Sequence, residues 1–189
     1  MFENMYCRPL TFDFHIDTAD LEYLQNTVDL SKIKNFTQFK SPGLSSSKFK
    51  DFLMPLGIKI YFYEIFYTAP KSTIPIHNDG VETIVKINWV FGANDSTMQW
   101  WEVKDENHTP TFHITEIGTE CEVFDVQKCT CVYKEKIISP SLVNVRQLHS
   151  IDNSTNEGRW CMSFALYDID KKQPLTWDDA VSKLNKFMK

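Results

Sequence analysis

His77, Asn78 and Asp79 are consecutive in the sequence and are followed at once by Gly80. Residues i and i+2 on extended backbone point to the same side, so the His77 imidazole and the Asp79 carboxylate can meet one ion. An Asp-Gly tight turn accounts for the same residues with no ion at all. A third donor of suitable type, His149, closes the run SLVNVRQLH far along the chain. Two imidazoles and one carboxylate cap one face of a metal and leave the opposite positions open, which suits Fe(II); a structural zinc site is closed by a fourth protein ligand. Arg159 opens the run RWCMSFALYDI, where period-two alternation sets Arg159, Cys161 and Ser163 on one face. A guanidinium and a hydroxyl that face inward can hold a carboxylate. The ordinary alternative for Arg159 is an edge-strand arginine paired with a surface glutamate.

Elements able to position these groups are legible along the chain. Leu21, Leu24 and Val28 are spaced by three and four residues behind Thr18, a candidate N-cap, and predict a helix over Thr18 to Asp29. Ser41 to Ser47 reads as a loop, and Ser46 to Met54 as a second helix that stops at Pro55. From Ile58 the runs IKIYFYEIFY, VETIVKINWVF, TMQWWEV, TFHITEI, ECEVFDV, TCVYKEK, SLVNVRQL and RWCMSFALYDI are rich in β-branched and aromatic residues. His77 falls after the first of these and a Pro-containing turn. Eight short antiparallel strands favour a sandwich, barrel or double-sheet jelly roll, with the helices against one outer face. Thr176 then begins a C-terminal helix with the apolar stripe Trp177, Val181, Leu184 and Met188. The expected organisation is one domain over 1–189, with 1–57 as helical and strand support, 58–168 as the β core and 176–188 as the closing helix.

Composition bounds the function. The chain has 189 residues, 42% of them hydrophobic and 14% aromatic, enough for a sizeable core. Its mean hydropathy is -0.32 and its pI about 5.5. A net charge of -5 argues against broad affinity for nucleic-acid backbones. No stretch has the length and apolarity of a membrane span, and MFENMYCRPL lacks the basic and apolar regions of a signal peptide, so the expected location is cytoplasmic. Five cysteines at irregular spacings do not spell a disulfide framework, and Cys129 and Cys131 have no second pair at zinc-site spacing.

The ordered set His77-x-Asp79, His149, then Arg159 with Ser163, in a strand-rich chain, resembles the 2-oxoglutarate and Fe(II)-dependent dioxygenase family over roughly Ile58 to Asp168. The VKINWVF and MQWW strands and the His-Ser-Ile-Asp-Asn sequence resemble its compact prolyl-hydroxylase-like members, including small ones from phage genomes. The resemblance implies a double-stranded β-helix, a form of jelly roll. It implies that His77, Asp79 and His149 bind iron, and that Arg159, assisted by Ser163, pairs with the distal carboxylate of 2-oxoglutarate. Such enzymes use dioxygen to convert 2-oxoglutarate to succinate and hydroxylate an unactivated C–H bond. Family members often use Lys where this sequence has Arg159, which fits planar carboxylate geometry better.

Around that set, Asn88 shares a face with Lys86 and is a candidate donor to 2-oxoglutarate, as are Tyr61 and Tyr63 through their hydroxyls, with core packing the alternative for each tyrosine. Trp100 and Trp101 are adjacent and so point to opposite faces, one toward core and the other a candidate pocket wall. His15, His108 and His113 read as surface or structural residues, and Asn153 as shaping a turn. By resemblance the substrate is a prolyl or other amino-acid side chain in a peptide or protein, with a free amino acid or small metabolite open. Two rival readings keep part of the pattern: a non-catalytic jelly-roll module without turnover, and a cupin-like metal enzyme that does not use 2-oxoglutarate.

Overall fold

The computed structural model describes residues 4–43, 45, 48–80, 84–104, 108–115, 117–118 and 120–189. These form strands β1 (Cys7–Pro9), β2 (Phe36–Lys40), β3 (Ile58–Thr68), β4 (Ser72–Asn78), β5 (Val85–Phe91), β6 (Thr97–Val103), β7 (Thr111–Ile114), β8 (Glu120–Phe124), β9 (Cys129–Glu135), β10 (Ser141–Asn144), β11 (His149–Asn153), β12 (Arg159–Asp168) and β13 (Gln173–Pro174). The helices are α1 (Ala19–Thr27), α2 (Lys48–Leu53) and α3 (Trp177–Leu184).

The strands make two antiparallel sheets. One runs β1-β10-β5-β12-β3-β2, with β13 on β12, and the other β7-β8-β4-β11-β6-β9. From β3 to β6 and again from β9 to β12 the chain crosses to the opposite sheet at every strand, so each sheet takes four of these eight. This winding is that of a double-sheet jelly roll, open at its edges rather than closed into a barrel.

Helices cover the outer face of the first sheet. Leu21 and Leu24 of α1, Phe49 and Leu53 of α2, and Ala180 and Leu184 of α3 pack there against Ile65, Ile87, Met162 and Phe164. Because both faces of this sheet are covered, β12 is buried along nearly its whole length and reads as an unbroken apolar run. The second sheet has solvent on its outer side, and β6 accordingly alternates buried Met98 and Trp100 with half-buried Gln99 and Trp101. Between the sheets lies a smaller core that includes Ile74, Met98, Trp100, Val145 and Ile151.

Several sequence expectations change here. The strands that carry His77 and His149 were read as a turn and as the end of a preceding strand; each histidine instead lies on a strand of its own, β4 and β11. The short N-terminal strands β1 and β2 add to opposite edges of the first sheet. Thr18 does not cap α1 through its side chain, which bonds Glu22 instead; the Asp17 carboxylate accepts the Ala19 N–H at 3.0 Å. Helix α2 ends two residues before Pro55, which sits in a 3-10 turn over Met54–Leu56; Ser46 and Ser47 lie outside the described residues. Thr176 caps α3 by accepting the Asp179 N–H at 3.2 Å. All five cysteines are free, and only Cys131 is exposed. Among the described residues no helix is long and apolar enough to cross a membrane.

Candidate metal centre

His77 and His149 sit directly opposite each other where β4 pairs with β11, so backbone register alone sets their rings side by side. The ring centroids are 4.3 Å apart. Strict alternation would send Ile74 and His77 to opposite faces. A register shift between the Ile74–Ile151 and His77–His149 pairs inserts one extra residue in β4 and turns both side chains toward the space between the sheets. Pro75 lies within this bulge, where its missing N–H breaks no regular ladder. Two residues past His77, Asp79 returns to the same side, and the chain turns away at Gly80, whose N–H is held by the Asn78 side chain and whose φ is +75°.

The three groups converge. Asp79 Oδ1 lies 3.2 Å from His77 Nε2 and 3.6 Å from His149 Nε2, and one donor atom from each residue falls within 4.8 Å of the other two. Each ring is oriented from behind: Nδ1 of His77 donates to the Pro75 carbonyl at 2.8 Å and Nδ1 of His149 to the Gln147 carbonyl at 2.9 Å. This leaves each Nε2 facing Asp79, the ring orientation that a metal at this position requires. Burial, with the neighbouring His77, pushes His149 down to about 3, so its imidazole is neutral. Burial works to raise the Asp79 carboxyl, but Lys86, with the His77 ring beside it, outweighs this and holds it well below the usual carboxylate range. Two imidazoles and a carboxylate suit a divalent transition-metal ion, and no fourth protein donor closes the set among the described residues.

The other oxygen of Asp79 is taken by a residue that the sequence reading left in the background. Lys86 Nζ lies 2.7 Å from Asp79 Oδ2 and 3.3 Å from Glu64 Oε2, all three side chains being largely buried. Burial works against the Lys86 charge, yet Asp79 and Glu64 outweigh it and raise its pKa. The available signal was a lysine and a glutamate each placed in the middle of an apolar strand, VKINWVF and IYFYEIFY, where a charge must find a partner.

These groups line one cavity of about 440 Å³ between the sheets, which also takes in Arg159, Ser163, Asn88 and Gln38. Arg159, Cys161 and Ser163 share its wall as the alternation predicts. Arg159 is only 3% exposed, and no carboxylate among the described residues lies within ion-pair distance of it. Burial pushes its pKa down, opposed by the adjacent Cys161. The Ser163 hydroxyl donates to Asn88 Oδ1 at 2.6 Å, which leaves the Asn88 amide N–H groups to donate. The unpartnered carbonyl oxygen of Gln38 is a further polar group at this cavity, missed from sequence because β2 was not read as a strand.

Other candidates fall elsewhere. Tyr63 belongs to the opposite, helix-facing side of the first sheet: it pairs with Phe164 in register and stacks on it at 4.7 Å, so parity along β3 separates it from Arg159 and Ser163. Tyr61 is exposed and stacks on Tyr167. Trp100 is fully buried between the sheets, Trp101 donates to Ser150 Oγ, and neither lines the cavity. Asn153 shapes its turn by donating to the Ala69 and Glu157 carbonyls. His113, read as a surface residue, is exposed but lies at the cavity, beside Phe112 of β7. Cys129 is buried and Cys131 exposed, and among the described residues neither belongs to a group of three metal-ligating side chains.

No protein-family model matches the chain. No curated protein matches it either. Among solved structures, E. coli ycfD aligns at 14% identity and a TM-score of 0.33 over 56% of this chain and 25% of its own. An oxalate oxidase in complex with glycolate aligns at 14% identity and a TM-score of 0.33, over 68% of this chain and 49% of its own. EvdO2 from Micromonospora carbonacea var. aurantiaca, complexed with 2-oxoglutarate, aligns at 11% identity and 0.32, over 68% and 60%. The chain thus spans a quarter to a half of the length of the first two. Likenesses this distant carry no argument about activity. What the molecule itself supplies is two imidazoles and one carboxylate converging in a cavity that also holds a buried arginine without a carboxylate partner.

Proposed function

We propose that the protein is a non-haem Fe(II) oxygenase that couples oxidative decarboxylation of 2-oxoglutarate to hydroxylation of a C–H bond. The observation that carries this reading is the shared cavity: a three-donor site with no fourth protein ligand, and a buried guanidinium that needs an anion. His77, Asp79 and His149 would hold the metal, with the Pro75 and Gln147 carbonyls keeping each Nε2 turned toward it. Arg159 would bind the distal carboxylate of 2-oxoglutarate through its planar fork, and the Asn88 amide, oriented by Ser163, would add a donor. Iron bound at the three donors would supply the dioxygen chemistry. The cavity volume is in the range of small-molecule sites and leaves room for a substrate side chain beside the cosubstrate. We take that side chain to be a prolyl or other amino-acid residue, presented in a peptide or as the free amino acid.

The test is an anaerobic titration of the apoprotein with Fe(II) and 2-oxoglutarate, following the visible charge-transfer band that a chelating 2-oxo acid produces. The expected result is a band in the wild type and none in His77→Ala. Iron uptake without a band would favour a metal enzyme that does not use 2-oxoglutarate, and no iron uptake would favour a non-catalytic jelly-roll module.

A further inference from the structure

We infer that Lys86, held in place by Glu64, is a positioning residue that limits Asp79 to one metal-binding oxygen. The inference rests on the metal reading above. A carboxylate beside a divalent cation can bind through one oxygen or both. Here the two oxygens are already assigned: Oδ1 faces His77 Nε2 and His149 Nε2 at 3.2 and 3.6 Å, while Oδ2 accepts a charge-assisted hydrogen bond from Lys86 Nζ at 2.7 Å. The lysine is anchored from its far side by Glu64 Oε2 at 3.3 Å, and both of these side chains are 5% exposed. Strand pairing supplies the rigidity. Lys86 lies on β5 opposite Ala165 of β12, and Glu64 lies on β3 opposite Ser163 of the same strand, so the pair bridges two neighbours of one central strand.

Charge alone gives no reason for a lysine here, because an ammonium next to a cation site repels the cation. Glu64 answers that objection, since its carboxylate lies 3.3 Å from the Lys86 ammonium and offsets its charge. What Lys86 adds is geometry. A second Asp79 oxygen on the metal would take up a position that a chelating 2-oxo acid or a further small ligand needs.

Charge and positioning are told apart by the coordination each predicts. The probes are Mn(II) for affinity, by calorimetry on the apoprotein, and Co(II) for coordination, by its visible spectrum. In Lys86→Met the second Asp79 oxygen is free to reach the metal, so positioning predicts a Co(II) spectrum shifted toward higher coordination number. A lysine that acts only through its charge predicts tighter Mn(II) binding with an unchanged Co(II) spectrum. If that variant does not fold, the double variant Glu64→Gln/Lys86→Met removes one charge of each sign. Charge alone then predicts unchanged affinity and an unchanged spectrum, and positioning again predicts the spectral shift. The Co(II) spectrum should return toward that of the wild type in Lys86→Arg. An unchanged Co(II) spectrum in the variant tested overturns the inference and leaves the metal reading standing. Absence of Mn(II) binding in the wild type overturns both.

Discussion

Replacing Arg159 by methionine separates what this residue does for the fold from what it does for a ligand. The guanidinium is buried with no carboxylate partner among the described residues, so in the ligand-free protein its desolvation cost is offset by Cys161 and by no ion pair. An apolar side chain of similar length removes that cost, which for a buried charge amounts to several kcal/mol before any loss of packing. We therefore expect the ligand-free Arg159→Met protein to melt no lower than the wild type. Toward 2-oxoglutarate the change runs the other way. Losing one partner of a buried, hydrogen-bonded charge pair costs about 2–5 kcal/mol, or roughly 30-fold to a few thousand-fold in Kd. Thermal melts of the Mn(II)-loaded protein read both effects. At 2-oxoglutarate near 100 times the wild-type Kd, ligand binding adds about 2.7 kcal/mol, and the wild-type Tm rises by about 5–11 °C. With Kd weakened 30-fold, the same concentration adds about 0.9 kcal/mol, and the rise shrinks to about 2–4 °C. Retention of the full ligand-induced rise in Arg159→Met would refute the assignment of its anion. A marked fall in the ligand-free Tm would show that the guanidinium has a structural partner.

Further outcomes follow from the same geometry. Asn88→Ala removes the acceptor of the Ser163 hydroxyl and a donor at the cavity, so 2-oxoglutarate affinity should fall about 5- to 100-fold by calorimetry; Tyr63→Phe, on the other face of the sheet, should leave it unchanged. Thr176→Ala removes the N-cap of α3 and should cost about 1 kcal/mol, a Tm lower by about 2–4 °C, with metal binding intact. A thiol reagent should modify one cysteine in the native protein, Cys131, and five after denaturation. Burial, with Glu135 nearby, pushes the Cys7 thiol up to about 11 from 9.0, so the folded state keeps a proton that the unfolded chain releases between these values. Stability should therefore be complete below pH 9 and fall as pH rises toward 11, and urea unfolding of Cys7→Ala should show a shallower slope across that window.

Legibility differed by residue. His77, Asp79, His149, Arg159, Ser163 and Asn88 all line one cavity, since each was argued from residue type and short-range parity and these survive folding. The run RWCMSFALYDI was read as a strand from its apolar character, and β12 spans most of it. The segment around His77 reads as a turn because of Pro75, and His149 as the end of SLVNVRQL because nothing in that run marks the break after Asn144; pairing between β4 and β11 is what makes both histidine segments strands. Tyr63 failed for a related reason: its hydroxyl makes it a plausible donor, but a tyrosine one residue from Glu64 must face the other way.

From sequence alone, the donor types, their order along the chain and the strand-rich class were determined, because residue chemistry and the period of a strand are local properties. Only the tertiary structure decided that the donors meet. The meeting depends on the register of β4 against β11, on one extra residue in β4 that reverses side-chain parity before His77, and on the contact of Asp79 with Lys86 across the two sheets. None of these is written in a window of neighbouring residues. Each follows from pairing between segments far apart in the chain, where a shift of a single residue moves a side chain from the cavity to the opposite face.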